Sequence, residues 1–288
     1  MKYPIEIELT DHCTLACDCC PNKDYLEKSH ILDEDFYHII EYIKTNREKI
    51  LFLDLCGIWD IFLHPNICKY LKYIADTFEN TDLNILIPTK WTVISDKHIE
   101  ALEYMKDKNI NFNLSVWFYS MRKKVHDSIT GKPNFDDIMK FIKICKKNNF
   151  PLSLEMLINK FSLKELDYFY KFWDTLELNY KVHNYHNFWG SVDRDNIYDY
   201  NAADYKFKCS FADDETYKLD FYCQYTLPFI AWDWYLFSCS HWGKQEKYRT
   251  EKFSQLSKQF PDFEDLLKYI TEEKLTKSIC KNCTYFKY

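Results

Sequence analysis

The chain has 288 residues, 47% of them hydrophobic and 28% charged, with a net charge of −6. That length can bury one large domain, or a large one with a small companion, and this composition excludes a disordered chain. No basic stripe marks a nucleic-acid binder, the apolar runs are strand-sized and exclude a membrane span, and the start MKYPIEIELTDH lacks a signal peptide's apolar core. A cytoplasmic protein is expected, with neither nucleic acid nor membrane as a partner.

Residues 4–9 (PIEIEL) alternate as a strand does. Phe36, Ile39, Ile40 and Ile43 follow at the spacing of one helix face. Residues 50–55 read as a second strand, 67–78 as a second helix, 83–88 (LNILIP) as a third strand and 96–105 as a helix. Residues 111–117 alternate as a fourth strand, and Asn134 is placed to cap a helix carrying Ile138, Ile142 and Cys145. A fifth strand (152–158), a helix (163–173) and a sixth strand (181–185) complete the series. Strand and helix alternating six times predict an α/β fold with a parallel sheet and helices outside it. Six falls short of the eight of a closed barrel, so residues 1–200 are expected to form a partial (β/α)6 TIM-like barrel. Residues 201–288 hold five cysteines and one late helix, 263–270. They read as a small C-terminal α+β domain whose core needs a staple.

The chain has twelve cysteines and four glycines. Clustered cysteines in a reducing compartment point to metal or catalysis, and motifs that lean on glycine will look degraded. Cys13, Cys17 and Cys20 lie in CTLACDCC, directly after the first strand. Three thiolates on a tight loop can hold three irons of a [4Fe–4S] cluster and leave the fourth iron open. The end of strand one is also where parallel α/β folds place active sites. The plainer reading is a zinc knuckle or packed cysteines, but zinc favours four ligands in two close pairs. Farther on, Cys223, Cys239 and the CxxC of Cys280 and Cys283 supply four thiolates in two groups. That is a closed site for zinc or for a second [4Fe–4S] cluster, and spacing does not choose between them.

With its CxxxCxxC triad after the first strand, the chain resembles the radical S-adenosylmethionine (SAM) superfamily over nearly its whole length. The resemblance implies that Cys13, Cys17 and Cys20 ligate the cluster and that SAM chelates the open iron. Reductive cleavage of SAM then gives a 5′-deoxyadenosyl radical. The residue before the third cysteine, usually aromatic and near the adenine, is here Cys19. Residues 55–65 (LCGIWDIFLHP) look like the family's GGEP-type segment followed by Leu-His-Pro. Gly57 and Asp60 match that segment, while Trp59 and Ile61 depart from it. Thr89 stands where the family often has Thr-Asn-Gly, and Ser115 where it places a serine near the cofactor. The cofactor-binding set implied by the resemblance is therefore Cys19, Gly57, Trp59, Asp60, Thr89 and Ser115. His126 in HDSITG reads as structural, and Glu155 faces either solvent or the barrel lumen, where it can hold a polar substrate.

Residues 201–288 resemble the Twitch half of SPASM-type auxiliary domains. The match implies Cys223, Cys239, Cys280 and Cys283 as ligands of the second cluster, with 229–237 as the hairpin and Asp233 in place of a turn glycine. Cys209 reads as inert, as an extra ligand, or as a catalytic hydrogen-atom donor like that of radical SAM epimerases. Cys56, Cys68 and Cys145 sit in core-like patterns. The leading expectation is a radical SAM oxidoreductase, a dehydrogenase or an epimerase, acting on a small polar molecule of sugar or aminocyclitol type. Its layout is most like the aminocyclitol dehydrogenase. An electron donor of flavodoxin or ferredoxin type is an expected partner. A peptide maturase, making crosslinks or D-residues in a short peptide, is the runner-up. Cys13 lies so near the start that no peptide-recognition domain is expected before it. A non-catalytic iron–sulfur or zinc protein is the third reading.

Overall fold

Alternation along the first strand puts Ile5 and Ile7 on one face and Glu6 on the other, and the computed structural model carries this division across one sheet. The structure describes residues 2–17, 20, 29–55, 60–90, 93–159, 162–183, 228–231, 233, 235–237 and 251–276. The strands are β1 (Tyr3–Ile7), β2 (Ile50–Asp54), β3 (Asn84–Thr89), β4 (Asn111–Phe118), β5 (Leu152–Leu157), β6 (Asn179–His183), β7 (Phe229–Ile230) and β8 (Leu236–Phe237). Their order is β6-β5-β4-β3-β2-β1-β7-β8. Every neighbouring pair is parallel except β7 and β8. The sheet is thus unclosed, with seven parallel strands, and the expected α/β partial barrel is present.

The helices are α1 (Asp33–Thr45), α2 (Ile67–Thr77), α3 (Asp96–Asp107), α4 (Lys123–Thr130), α5 (Phe135–Asn148), α6 (Leu166–Leu176), α7 (Phe253–Gln259) and α8 (Phe263–Thr276). Register sorts the sheet into two faces. Ile5, Leu53, Ile85 and Phe112 pair across β1 to β4 and are buried under the helices. Glu6, Asp54, Leu86 and Asn113 pair in the next row, on the inner face of the barrel. The helix side is aromatic. Phe36 of α1 stacks on Tyr70 of α2 with centroids 3.8 Å apart, and Trp173 of α6 is fully buried against Phe169.

Three differences from the sequence reading have physical causes. Helices α4 and α7 are additional. The buried residues of α4 are His126, Ile129 and Thr130, set among lysines, so no apolar stripe announces it. In α7 only Phe253 and Leu256 are apolar and buried, too short a period to read. The hairpin residues 229–230 do not stand apart from the sheet but extend it, since β7 lies parallel to β1. Phe253, Leu256, Phe263, Leu266 and Ile270 join the same core cluster as α1. Asn46 ties them in by donating to Pro261 O (3.0 Å) and accepting from Phe263 N (3.0 Å).

Asn134 does stand at the N-cap of α5, but its side chain does not cap. Asp127 Oδ1 does so instead, accepting from Asn134 N (2.9 Å) and Phe135 N (3.0 Å). The Asn134 amide is drawn away and donates to Lys90 O (3.1 Å). Cys145 is buried in the core and Cys68 is half-buried. Among the described residues no helix is long and apolar enough to cross a membrane.

Candidate active site

The chain leaves β1 through Glu8–Thr10 and enters the loop that carries Cys13, Cys17 and Cys20. Backbone bonds hold this loop to the segment after β2, to the end of α4 and to itself. Asp60 N donates to His12 O (3.1 Å), Ala16 N to Thr130 O (3.0 Å) and Cys20 N to Cys17 O (3.0 Å). Cys17 is buried with Tyr119, just past β4, and Ile129 of α4, and the half-buried Cys20 packs on the same group. All three thiols are free of disulfides. Burial pushes the Cys13 thiol up, and Asp60 adds to this. The Leu15 N–H, which donates to Cys13 Sγ at 3.4 Å, opposes it, as do Lys90 and Lys132.

This donor set fits an iron–sulfur cluster. Three thiols outside any disulfide share one loop, and two lysines lie in electrostatic range of Cys13 to offset thiolate charge. A coordinating metal deprotonates such a thiol outright. Among the described residues no three His, Cys, Asp or Glu side chains stand together at metal-binding distance.

Asp60 joins the ends of three strands. It is wholly buried, and its Oδ1 accepts from Thr89 Oγ1 (2.8 Å) and from Phe62 N (3.3 Å), capping a 3-10 turn at Ile61–Leu63. Two residues of the expected cofactor set, Asp60 and Thr89, are thus brought together behind the cysteine loop. Ser115 is not brought to them. It lies one row away on the inner face of β4, opposite Pro88 and Ser153, and is 5% exposed. Cys19, Gly57, Trp59, Cys209, Cys223, Cys239, Cys280 and Cys283 lie outside the described residues.

Helix α4 backs the loop from the other side. Gly131 ends it in the left-handed region at φ +70, and a Cβ there would meet Ala16 O at 2.7 Å. His126 is buried and structural, as expected. Its Nδ1 accepts from Tyr119 N (3.4 Å), so Nε2 carries the proton and faces Asn134 Oδ1 (3.4 Å). Glu165 clamps the turn before α4, accepting from Ser120 Oγ (2.8 Å), Met121 N (2.7 Å) and Arg122 Nε (2.5 Å). The sequence carried no local sign of the Gly131 and Glu165 contacts, because both join segments far apart in the chain.

Glu155 faces the lumen rather than solvent. It pairs with Trp117 on β4 and Lys181 on β6, and its charge reaches Asp54 on β2. Lys90 Nζ lies 4.7 Å from the centre of the Trp117 ring. Glu6 and Asp54 were missed as lumen carboxylates. The alternation in PIEIEL did put Glu6 on its own face, but ILFLD does not alternate and hides Asp54.

A histidine beside the loop makes stability depend on pH. His64 is 2% exposed, and burial, then His30, push it down to about 4. Its Nδ1 accepts from Asn66 N at 3.0 Å. The unfolded chain binds this proton near pH 6.5 and the folded chain does not. The contribution is therefore complete above about pH 6.5 and is lost as pH falls toward 4. Chemical denaturation at pH 7 and pH 5 is expected to show a drop, of which His64 contributes on the order of 2 kcal/mol. The slope is expected to flatten in His64→Gln.

A family model described as the Radical SAM superfamily matches residues 7–172, from the end of β1 into α6. No curated protein sequence matches the chain. Among solved structures it is similar to SuiB of Streptococcus suis bound to the precursor peptide SuiA. The identity is 14% and the TM-score 0.71, over 100% of this chain and 71% of SuiB. It is similar to anSMEcpe with bound AdoMet at 14% identity and a TM-score of 0.69, over 99% and 87% of the two chains. BtrN in complex with AdoMet and 2-DOIA gives 11% and 0.53, over 99% and 93%. Identities this low establish a shared fold.

Proposed function

The chain belongs to the radical SAM superfamily, and from that premise we propose that Cys13, Cys17 and Cys20 hold its [4Fe–4S] cluster and that it oxidises or epimerises a small polar substrate of sugar or aminocyclitol type. The observation that carries this reading is the placement of the three thiols, none in a disulfide, on one loop at the C-terminal end of β1, tied through Asp60 to the ends of β2 and β3. When bound, the cluster supplies the electron that cleaves SAM, and the resulting 5′-deoxyadenosyl radical takes a hydrogen atom from substrate. This chain's own residues then do four things. Asp60 and Thr89 fix the height of the loop after β2 against the cysteine loop. Thr130 and Gly131 support it from α4. Lys90 and Lys132 offset its charge. The inner strand faces, with Ser115 and Glu155, receive the substrate.

The resemblance of residues 201–288 to a Twitch segment supports Cys223, Cys239, Cys280 and Cys283 as ligands of a second [4Fe–4S] cluster, an acceptor for the electron left on an oxidised product. In the epimerising outcome Cys209 is the hydrogen donor. A flavodoxin- or ferredoxin-type protein is the electron donor. A peptide substrate is the second reading. It is favoured by the higher TM-score of SuiB, a structure solved with its precursor peptide, than of BtrN, solved with 2-DOIA.

Anaerobic reconstitution with iron and sulfide tests the proposal. Two clusters give about eight irons per chain, and one gives about four. Incubation with SAM and dithionite is expected to yield 5′-deoxyadenosine. Cys13→Ala is expected to remove about four irons and to abolish that product. A colourless, zinc-loaded chain that forms no 5′-deoxyadenosine would overturn the reading.

A further inference from the structure

Lys90 continues the inner face of β3. Leu86 and Pro88 pair inward with Asn113 and Ser115 of β4, and Lys90 follows one step past the last residue of the strand, Thr89. The next inward residue of β4 is Trp117, and Lys90 Nζ lies over its ring, 4.7 Å from the centre. The backbone beneath this side chain is held from two directions. Thr89 Oγ1 donates to Asp60 Oδ1 (2.8 Å), and Asp60 N donates to the carbonyl of His12, the residue before Cys13 (3.1 Å). Lys90 O accepts from Asn134 Nδ2 (3.1 Å).

The cysteine loop closes over this part of the face. Cys17 and Cys20 pack with Tyr119, two residues past Trp117, and with Leu157, two past Glu155, which is the register partner of Trp117. The ammonium thus stands about one row beneath the thiols. Among the described residues the charges that act most on Cys13 are Asp60, in one sense, and Lys90 and Lys132, in the other. Lys132 is exposed just past α4, where water and salt screen it. Lys90 is half-buried against the ring, where screening is weaker.

We propose that Lys90 tunes the cluster held by Cys13, Cys17 and Cys20 toward reduction, its ammonium fixed on the Trp117 ring beneath the cysteine loop. The inference rests on the proposed reading of these cysteines as the cluster ligands. Thiolate ligands make such a cluster net negative, and its net charge is one of the factors that set its potential. Reduction moves one electron from an external donor, dithionite in the test below, to the cluster, and no bond forms or breaks. The added negative charge is stabilised by a cation at fixed distance, so the reduced form gains more from Lys90 than the oxidised form does. The inner-face carboxylates Glu6, Asp54 and Glu155 contribute a background of the opposite sign, and a substitution at Lys90 alone isolates the share of Lys90.

The test is a dithionite titration of the full reconstituted chain, with redox mediators, followed by the electron paramagnetic resonance of the reduced cluster. The signal that Cys13→Ala removes identifies the cluster concerned. Lys90→Gln is expected to make its reduction about tenfold less favourable, which is about 59 mV for one electron. Lys90→Arg keeps the charge and the ring contact and is expected to stay within about threefold of the wild type. Lys132→Gln is expected to shift the equilibrium less, and its shift is expected to shrink between about 0.1 and about 0.5 M salt while that of Lys90→Gln persists. If Lys90→Gln binds no iron, Trp117→Leu carries the test. It releases the ammonium into water, with an expected change of about threefold in the same direction. An unchanged equilibrium in the variant that carries the test, an equal shift in Lys90→Gln and Lys90→Arg, or loss of iron from both Lys90→Gln and Trp117→Leu overturns the inference. If the wild-type chain gives no signal that Cys13→Ala removes, the cluster reading beneath it falls. If that signal is present and the Lys90 variants leave its potential in place, only this inference falls.

Discussion

Gly131→Ala is expected to strip most of the iron from the Cys13, Cys17 and Cys20 loop and to lower 5′-deoxyadenosine formation by about tenfold or more, for a stability loss of about 1–3 kcal/mol. Two costs add. A non-glycine residue at φ +70 carries left-handed strain. The new Cβ also stands 2.7 Å from Ala16 O, which is backbone and has no rotamer to yield. Ala16 lies between Cys13 and Cys17, and its N–H is held by Thr130 O, so the loop moves as a unit. Gly131→Asn separates the two costs, because asparagine tolerates the left-handed region yet still carries a Cβ. Iron content, 5′-deoxyadenosine yield and urea midpoint are the measurements. Full iron in Gly131→Ala would show that the loop does not depend on α4.

The second large effect is expected at Asp60. Asp60→Ala leaves the Thr89 hydroxyl and the Phe62 N–H buried without their acceptor, at about 1–3 kcal/mol for each. The loop after β2 then loses its tie to β3, and SAM cleavage is expected to fall with it. Asp60→Asn keeps an Oδ1 in place and is expected to recover most of the stability. Denaturation midpoints of the three chains decide this. An Asn variant as unstable as the Ala variant would mean that charge, rather than the acceptor, is what the site requires.

Regular periodicity made most of the barrel legible. Phe36, Ile39, Ile40 and Ile43 are all fully buried, as their spacing requires, and the first six strands begin or end within about two residues of their predicted bounds. What stayed hidden depends on distant partners. Strand β7 has two residues and acquires its meaning from β1. The cap of α5 comes from Asp127, across a turn, where local rules look only at Asn134. Asp60 was found by likeness to a family segment, but its bond to Thr89 joins two loops that composition treats separately. The part played by Gly131 lies wholly in its approach to Ala16, which no one-dimensional pattern contains.

The pairing of β1 with β7 also shapes how the chain must fold. Glu6 N and Glu8 N donate to Pro228 O (2.9 Å) and Ile230 O (2.8 Å), so one side of the first strand waits for nearly the last residues of the sheet. Until the ribosome has released them, that side is an open row of amides able to template a neighbouring chain. Charged residues pointing inward from an edge strand are a known guard against such pairing. Glu6 and Glu8 therefore act as gatekeepers of the nascent protein before the interior they line exists. Substituting them with apolar residues is a route to aggregation during synthesis.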